Sequence, residues 1–272
     1  MTSDRWSTHT LVLGSGSVSK RFRGGDRDRA LREWRALRLL DRYAPGLAPA
    51  PREADLDAAE PTVVMSRLAG VPLRGMPLGD AHVEALAAAV TRLHDALPPD
   101  VLAGIPLRPG HQGELIGHIR SWLPKARPRV GKQVGQAMDE GMAWLDRSGL
   151  DPVCPQDLLT AFGPGDGNLA NYLWDGQRVQ VVDFEDSGRS DRAFELAEIT
   201  EHVASWVEHP LDVPSFLGRV DLTPAESLRL RDCRRLLALV WLFLLAFDDA
   251  DDPRNPPGTA ERQADRLLSL LA

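Results

Sequence analysis

Cysteine is nearly absent: Cys154 and Cys233 are the only two in 272 residues. They are too few and too far apart for a disulfide framework or a cysteine zinc site, and both read as buried thiols of a protein in a reducing compartment. A secretory leader is missing as well, because the opening MTSDRWSTHT has neither the basic start nor the apolar core of a signal. The longest apolar run, residues 236–247, falls short of the roughly 20 residues that a membrane-spanning helix needs. The expectation is a cytoplasmic protein with no membrane partner. An excess of positive charge is lacking too. A formal net charge of −7 and an isoelectric point near 5.5 weigh against nucleic acid, whose phosphates ask for a basic surface; an acidic surface suits cationic ligands. No low-complexity segment or internal repeat is found. What remains, 43% hydrophobic and 26% charged residues, describes an ordinary globular chain long enough to bury a large core.

Local patterns divide the chain in two. Residues 10–13 and 18–22, on either side of Gly14-Ser-Gly-Ser17, alternate as half-buried strands of a hairpin, with Lys20 in the middle of the second. From residue 26 to 43, Ala30, Leu31, Trp34, Leu37 and Leu40 recur every three to four positions, which predicts an amphipathic helix with Glu33 bordering its apolar stripe. The Pro-rich stretch 44–61 is expected to be a connection, and 62–68 a strand ending at Gly70. Helices are then predicted at 80–97, 114–123, 132–147, 191–207, 224–247 and 259–271. Thr223-Pro-Ala-Glu226 has the form of a capping box with proline in the first turn. The architecture expected is α+β and two-lobed: a small β-rich lobe over 1–69 and a mainly helical lobe over 70–272, with ligands in the cleft between.

The chemistry concentrates in residues 162–197. Asp175-Gly176 is a turn signal between the apolar runs 170–174 and 179–184. A four-residue turn pairing Trp174 with Val179 sets Asn171 opposite Val182, so Asn171 and Asp183 emerge at one end of a hairpin, beside Asp166 in a Gly-rich loop. Oxygen-bearing side chains converging there suit a hard cation such as Mg²⁺. Protein kinases place an Asp base five residues before a metal-binding Asn, with a metal-binding Asp soon after, and a strand Lys and helix Glu far upstream. Asp166, Asn171, Asp183, Lys20 and Glu33 stand in that order.

With these residues in place the chain resembles the aminoglycoside phosphotransferase family of kinase-like small-molecule kinases. The loop Pro-Gly-Asp166-Gly-Asn-Leu-Ala-Asn171 is similar to the family's His-Gly-Asp loop, and Val-Asp183-Phe-Glu-Asp186 to its Ile-Asp-Phe/Trp-Glu-Asp. Gly188 to Ala197 looks like its Gly-Asp-Pro-Ala-Asp-Leu-Ala continuation, and Met65-Ser-Arg-Leu-Ala-Gly70 like its hinge. The resemblance implies a protein-kinase-like fold with ATP or GTP in the cleft, held by Lys20, Glu33 and the hinge residues Ser66 and Leu68. It implies Mg²⁺ on Asn171 and Asp183, Asp166 as catalytic base, and a small-molecule hydroxyl as phosphoryl acceptor, an aminoglycoside or another amine-bearing compound.

The sequence departs from that pattern in three places. Pro164 stands where the family usually has His, Asn168 replaces a second common His, and only one hairpin precedes Lys20, so the N-terminal lobe is expected to be truncated. A catalytically degenerate nucleotide- or metabolite-binding protein is the alternative reading. A protein kinase is disfavoured, since no Ala-Pro-Glu segment follows Asp183. Other polar residues have plainer expectations: Asp191 as a helix N-cap, His94 as a packed helix residue, and Asp248, Asp249, Asp251 and Asp252 as a solvated loop or a contact for a cationic substrate.

Overall fold

A computed structural model describes residues 8–150, 156–249 and 252–272. Strands β1 (His9–Leu13) and β2 (Ser17–Phe22) form the expected hairpin, closed by the Gly14 amide donating to the Ser17 carbonyl at 2.8 Å. Helix α1 (Arg27–Tyr43) follows, and the Asp26 carboxylate caps it by accepting the Arg29 amide. Ala30, Glu33, Ala36, Leu37 and Leu40 make its buried face, so the stripe is rotated from the one expected: Leu31 is 41% exposed and Glu33 takes a core position. Next come β3 (Pro51–Asp55) and β4 (Thr62–Ser66), and the four strands make one antiparallel sheet in the order β1-β2-β4-β3. The stretch 44–61 is therefore more than a connection. Its strand was hidden by proline, yet Pro51 opens β3 at the sheet edge, where a residue without an amide hydrogen costs no ladder bond. Alternation misled at β1 also, because Leu11, Val12 and Leu13 are all exposed on the opposite edge.

Strand β5 (Val71–Pro72) carries the chain across to the larger part, which is mainly helical: α2 (Asp80–His94), α3 (Pro99–Ala103), α4 (Gln112–Ala126) and α5 (Lys132–Arg147). A region of short strands then holds β6 (Ala161–Gly163), β7 (Tyr172–Trp174), β8 (Val179–Val181) and β9 (Gly188–Ser190). Helices α6 (Arg192–Glu201), α7 (Val213–Leu217), α8 (Pro224–Ala246) and α9 (Thr259–Leu271) complete the chain. β5 pairs with β7 and β7 with β8, so the hairpin at Asp175-Gly176 joins a three-stranded sheet. The core is organised on α8, whose Leu236, Leu237, Leu239, Leu242 and Phe243 are buried where α8 meets α4, α5, α6 and α9. Its start is the expected capping box, Thr223 Oγ1 accepting the Glu226 amide and Glu226 Oε2 accepting the Thr223 amide, a device that stabilises such a helix by about 1 kcal/mol. The helix predicted over 191–207 is broken: α6 stops at Glu201, His202 is extended (φ −57°, ψ 136°), and a separate 3-10 turn follows.

Among the described residues no helix is long and apolar enough to cross a membrane. Cys233 is buried as expected; Cys154 lies outside the described residues. Asp248 turns its carboxylate onto the backbone amide of Arg254 and the side chain of Asn255, which orders the loop after α8; Asp251 is outside the described residues.

His94 fills a core position at the end of α2, 3% exposed, with its Nδ1 unbonded. Burial pushes its pKa down to about 4. The unfolded chain therefore takes up a proton near pH 6.5 that the folded chain refuses until about pH 4, and the native state loses stability as the pH falls through that window. Replacing His94 by Leu removes this loss. Unfolding free energies from urea curves taken between pH 7 and pH 4 are expected to fall less steeply for the variant, by up to about 1.4 kcal/mol per pH unit; parallel pH dependences overturn the assignment.

Candidate active site

The hairpin sets the register that the sequence demanded. Trp174 pairs with Val179 and Tyr172 with Val181, and the Val182 amide donates to the Asn171 carbonyl at 2.9 Å. Asp183 is thus the first residue beyond the paired end. Its φ of 71° is the single positive value outside glycine among the described residues, a conformation that Asp and Asn tolerate better than most side chains. That turn releases Asp183 from the strand direction and sends its carboxylate toward the N-terminal sheet.

There it meets Lys20. The Nζ lies 2.6 Å from Asp183 Oδ1, 2.9 Å from Glu33 Oε2 and 2.9 Å from Glu185 Oε2. Burial opposes a charged lysine, but the three carboxylates of Glu33, Asp183 and Glu185 outweigh it and hold the ammonium well above the ordinary lysine range. Glu33 is 1% exposed and also accepts the Phe184 amide at 2.8 Å, so one carboxylate ties α1, β2 and the strand end together. Glu185 is clasped by Thr8 Oγ1 at 2.6 Å and His9 Nδ1 at 3.0 Å. Burial would raise its pKa, and the His9, Lys20 and Thr8 contacts reverse this and keep it ionised.

Asp166 occupies the loop between β6 and β7. Its Oδ1 accepts the Asn168 amide at 2.9 Å and its Oδ2 accepts Asn171 Nδ2 at 3.0 Å. The side chain is 41% exposed yet recessed among surrounding protein, and that burial, reinforced by the Asp183 charge, raises its pKa above the usual carboxylate range. Asn171 gives its nitrogen to Asp166, which leaves the amide oxygen facing away. Hard oxygen donors on Asn171 and Asp183, beside a surplus of carboxylates around one ammonium, form a donor set suited to a divalent cation with phosphate. Lys20, Glu33, Asp166, Asn171 and Asp183 are therefore brought together; of the expected hinge residues, Ser66 ends β4 with its Oγ accepting the Ala50 amide, and Leu68 follows just beyond that strand.

Four groups escaped the sequence. Arg108 is 3% exposed and binds Glu195 at 2.9 Å, Glu198 at 3.0 Å and the Gly165 carbonyl at 2.8 Å, gripping the loop from behind. His202 Nε2 lies 3.5 Å from Asp166 Oδ1. Arg29 and Arg32 hold the turn after Asp183, through Glu185 and Asp186. The arginines on α1 carried a readable signal, sharing a helix face with Glu33; Arg108 and His202 carried none, lying far from the motif in sequence.

Two glycines make the loop possible. A Cβ on Gly165, whose φ is +89°, would stand 2.1 Å from the Asp186 carbonyl oxygen, and one on Gly167 would stand 2.2 Å from the backbone of Glu198. Both neighbours are main chain and cannot swing aside. Gly165→Ala is expected to destabilise the protein by about 3 kcal/mol, combining left-handed strain with overpacking. Urea unfolding measures it, and a loss under about 1 kcal/mol would show that the loop shifts freely.

The model of the phosphotransferase enzyme family (APH) matches residues 3–214. No curated protein sequence matches the chain. Solved structures are similar in fold. A choline/ethanolamine kinase family protein from Mesorhizobium loti has a TM-score of 0.65 at 18% identity, over 97% of this chain and 85% of that one. The choline kinase LicA from Streptococcus pneumoniae scores 0.60 at 15% identity, over 97% and 89%. The ADP-bound aminoglycoside phosphotransferase APH(2'')-Ib scores 0.62 at 14% identity, over 99% and 91%. The two-lobed α+β architecture is thus kinase-like, and the chain belongs to the phosphotransferase enzyme family.

Proposed function

We propose that the protein is a small-molecule kinase that moves the terminal phosphoryl group of ATP or GTP to an alcohol, with lobes meeting near residues 69 and 70. The observation that carries this reading is the convergence of Glu33 and Asp183 within 2.9 Å of the Lys20 nitrogen, with Asp183 at the end of a hairpin whose other strand, β7, follows directly on Asn171, itself bound to Asp166. In this reading Lys20 remains on Glu33 and turns its ammonium from Asp183 to the nucleotide phosphates. Asn171 and Asp183 would hold Mg²⁺, which would supply positive charge to offset that of the phosphates. The acceptor hydroxyl lies against Asp166 Oδ2. Its oxygen forms the new bond to phosphorus as the bond to the leaving nucleoside diphosphate breaks, and its proton passes to Asp166 and then to solvent.

The net charge of −7 supports an amine-bearing acceptor, an aminoglycoside or a smaller amino alcohol, and phosphorylating an antibiotic would make the protein a resistance factor. Incubation with Mg-ATP or Mg-GTP and a panel of aminoglycosides, aminocyclitols, choline-like amines, nucleosides and sugars, read by mass, tests this. A gain of one phosphoryl group on an amine-bearing member is the expected result, and an anionic best acceptor ends the amine assignment. One observation favours a second reading, a degenerate nucleotide- or metabolite-binding protein: Lys20 is already neutralised by three carboxylates. Turnover on any acceptor excludes it.

A further inference from the structure

We infer that His202 is a positioning residue for Asp166, reaching in from the end of α6 to supply a hydrogen-bond donor that Pro164, with neither amide hydrogen nor polar side chain, cannot give the loop. The inference rests on the reading of Asp166 as base. His202 Nδ1 accepts the Ala204 amide at 3.0 Å. An imidazole nitrogen that accepts an N–H bears no proton, so the ring's hydrogen is on Nε2, the atom 3.5 Å from Asp166 Oδ1. At 3.5 Å the two atoms are poised short of a formed hydrogen bond; catalytic hydrogen bonds are commonly long or poorly aligned before substrate arrives and tighten in the complex.

The surroundings make His202 a dipole and not a charge. The residue is 6% exposed, and burial, followed by the Arg74 guanidinium, pushes its pKa down to about 3. A neutral donor orients a carboxylate while drawing less on its basicity than a cation would. The ring is fixed as well, packed edge-on against Trp241 with centroids 4.5 Å apart. The break in α6 acquires a purpose, since a helix continued through residue 207 would carry the side chain elsewhere. The Asn168 amide is on Oδ1 and Asn171 on Oδ2; once His202 closes its 3.5 Å gap onto Oδ1, the free lone pair for an incoming hydroxyl proton belongs to Oδ2.

Two variants separate donor from ring. His202→Phe keeps the ring against Trp241 and removes the donor; His202→Gln loses the ring and returns an amide nitrogen near the Nε2 position. Turnover of Mg-ATP is measured with water and with each compound of the panel above. For His202→Phe, kcat is expected to fall about ten- to hundredfold while the KM for Mg-ATP stays within about twofold, the loss of one hydrogen bond to a charged group. His202→Gln should recover most of that loss. Wild-type kcat in His202→Phe, or equal failure of both variants with equal loss of melting temperature, overturns the inference. Nitrogen shifts of the His202 ring in the whole protein give a second reading: a proton on Nδ1 instead of Nε2 overturns it without any activity measurement. If Asp166→Asn is inactive while His202→Phe runs at full rate, the inference falls and the kinase reading stands; if Asp166→Asn is fully active, the inference falls together with the assignment of Asp166 as base; if no acceptor is turned over at all, the inference and the kinase reading both fall.

Discussion

Asp166→Asn is expected to slow phosphoryl transfer by about a hundred- to ten-thousandfold, the usual contribution of a positioned base, which corresponds to roughly 3–5 kcal/mol of transition-state stabilisation. The amide keeps the volume of the carboxylate and its oxygen can still accept the Asn168 amide; only the bond from Asn171 Nδ2 is lost, because the new nitrogen cannot accept it, so the loop is expected to keep its shape. What disappears is the proton acceptor. The loss should therefore sit in kcat, with nucleotide affinity little changed, because in this reading Asp166 touches neither the phosphates nor the cation. Single-turnover kinetics beside calorimetry separate the two quantities. Transfer at the wild-type rate would make Asp166 a turn residue held by Asn168 and Asn171, and the catalytic assignment would be wrong.

A second substitution, Asp183→Asn, removes a negative charge from a residue with a φ of 71° and replaces it with the side chain best able to keep that conformation. The fold is expected to survive, since Lys20 retains Glu33 and Glu185. The Mg²⁺-dependent part of nucleotide affinity is expected to vanish, and turnover to drop by about a thousandfold or more, the several kcal/mol a bound cation contributes. Titrating ATP with and without Mg²⁺ decides it. An unchanged Mg²⁺ effect would leave Asp183 as no more than a structural partner of Lys20.

The parts of this site legible in the sequence were those that follow from short-range geometry. The spacing from Trp174 to Val179 fixes a register, and that register alone brings Asn171 and Asp183 to one end. Lys20 and Glu33 were legible as a strand lysine followed by a helix acid, and α5 and α9 were found at their observed limits. What escaped depends on tertiary placement. Strand β3 is made by pairing with β4, against the local signal of Pro51. Leu31 faces solvent because the sheet covers a different sector of α1. Arg108 and His202 belong to the site through packing alone: one lies in a loop before α4, the other at a helix break, and neither position has a periodicity or spacing that points to Asp166.

The two glycines of the loop bear on how the molecule comes together. Gly165 and Gly167 lie flush against the main chain of Asp186 and Glu198, while Arg108 grips the Gly165 carbonyl from 57 residues upstream. None of these surfaces is local, and each must be brought near at the expense of loop-closure entropy. The loop carrying Asp166 has no docked position until the hairpin end, α6 and the segment before α4 are assembled around it. Nonlocal contacts of this kind slow a chain's search and form late. The loop around Asp166 is thus expected to take its shape after its walls, and a partly assembled chain with its helices in place would still lack the docked position of Asp166.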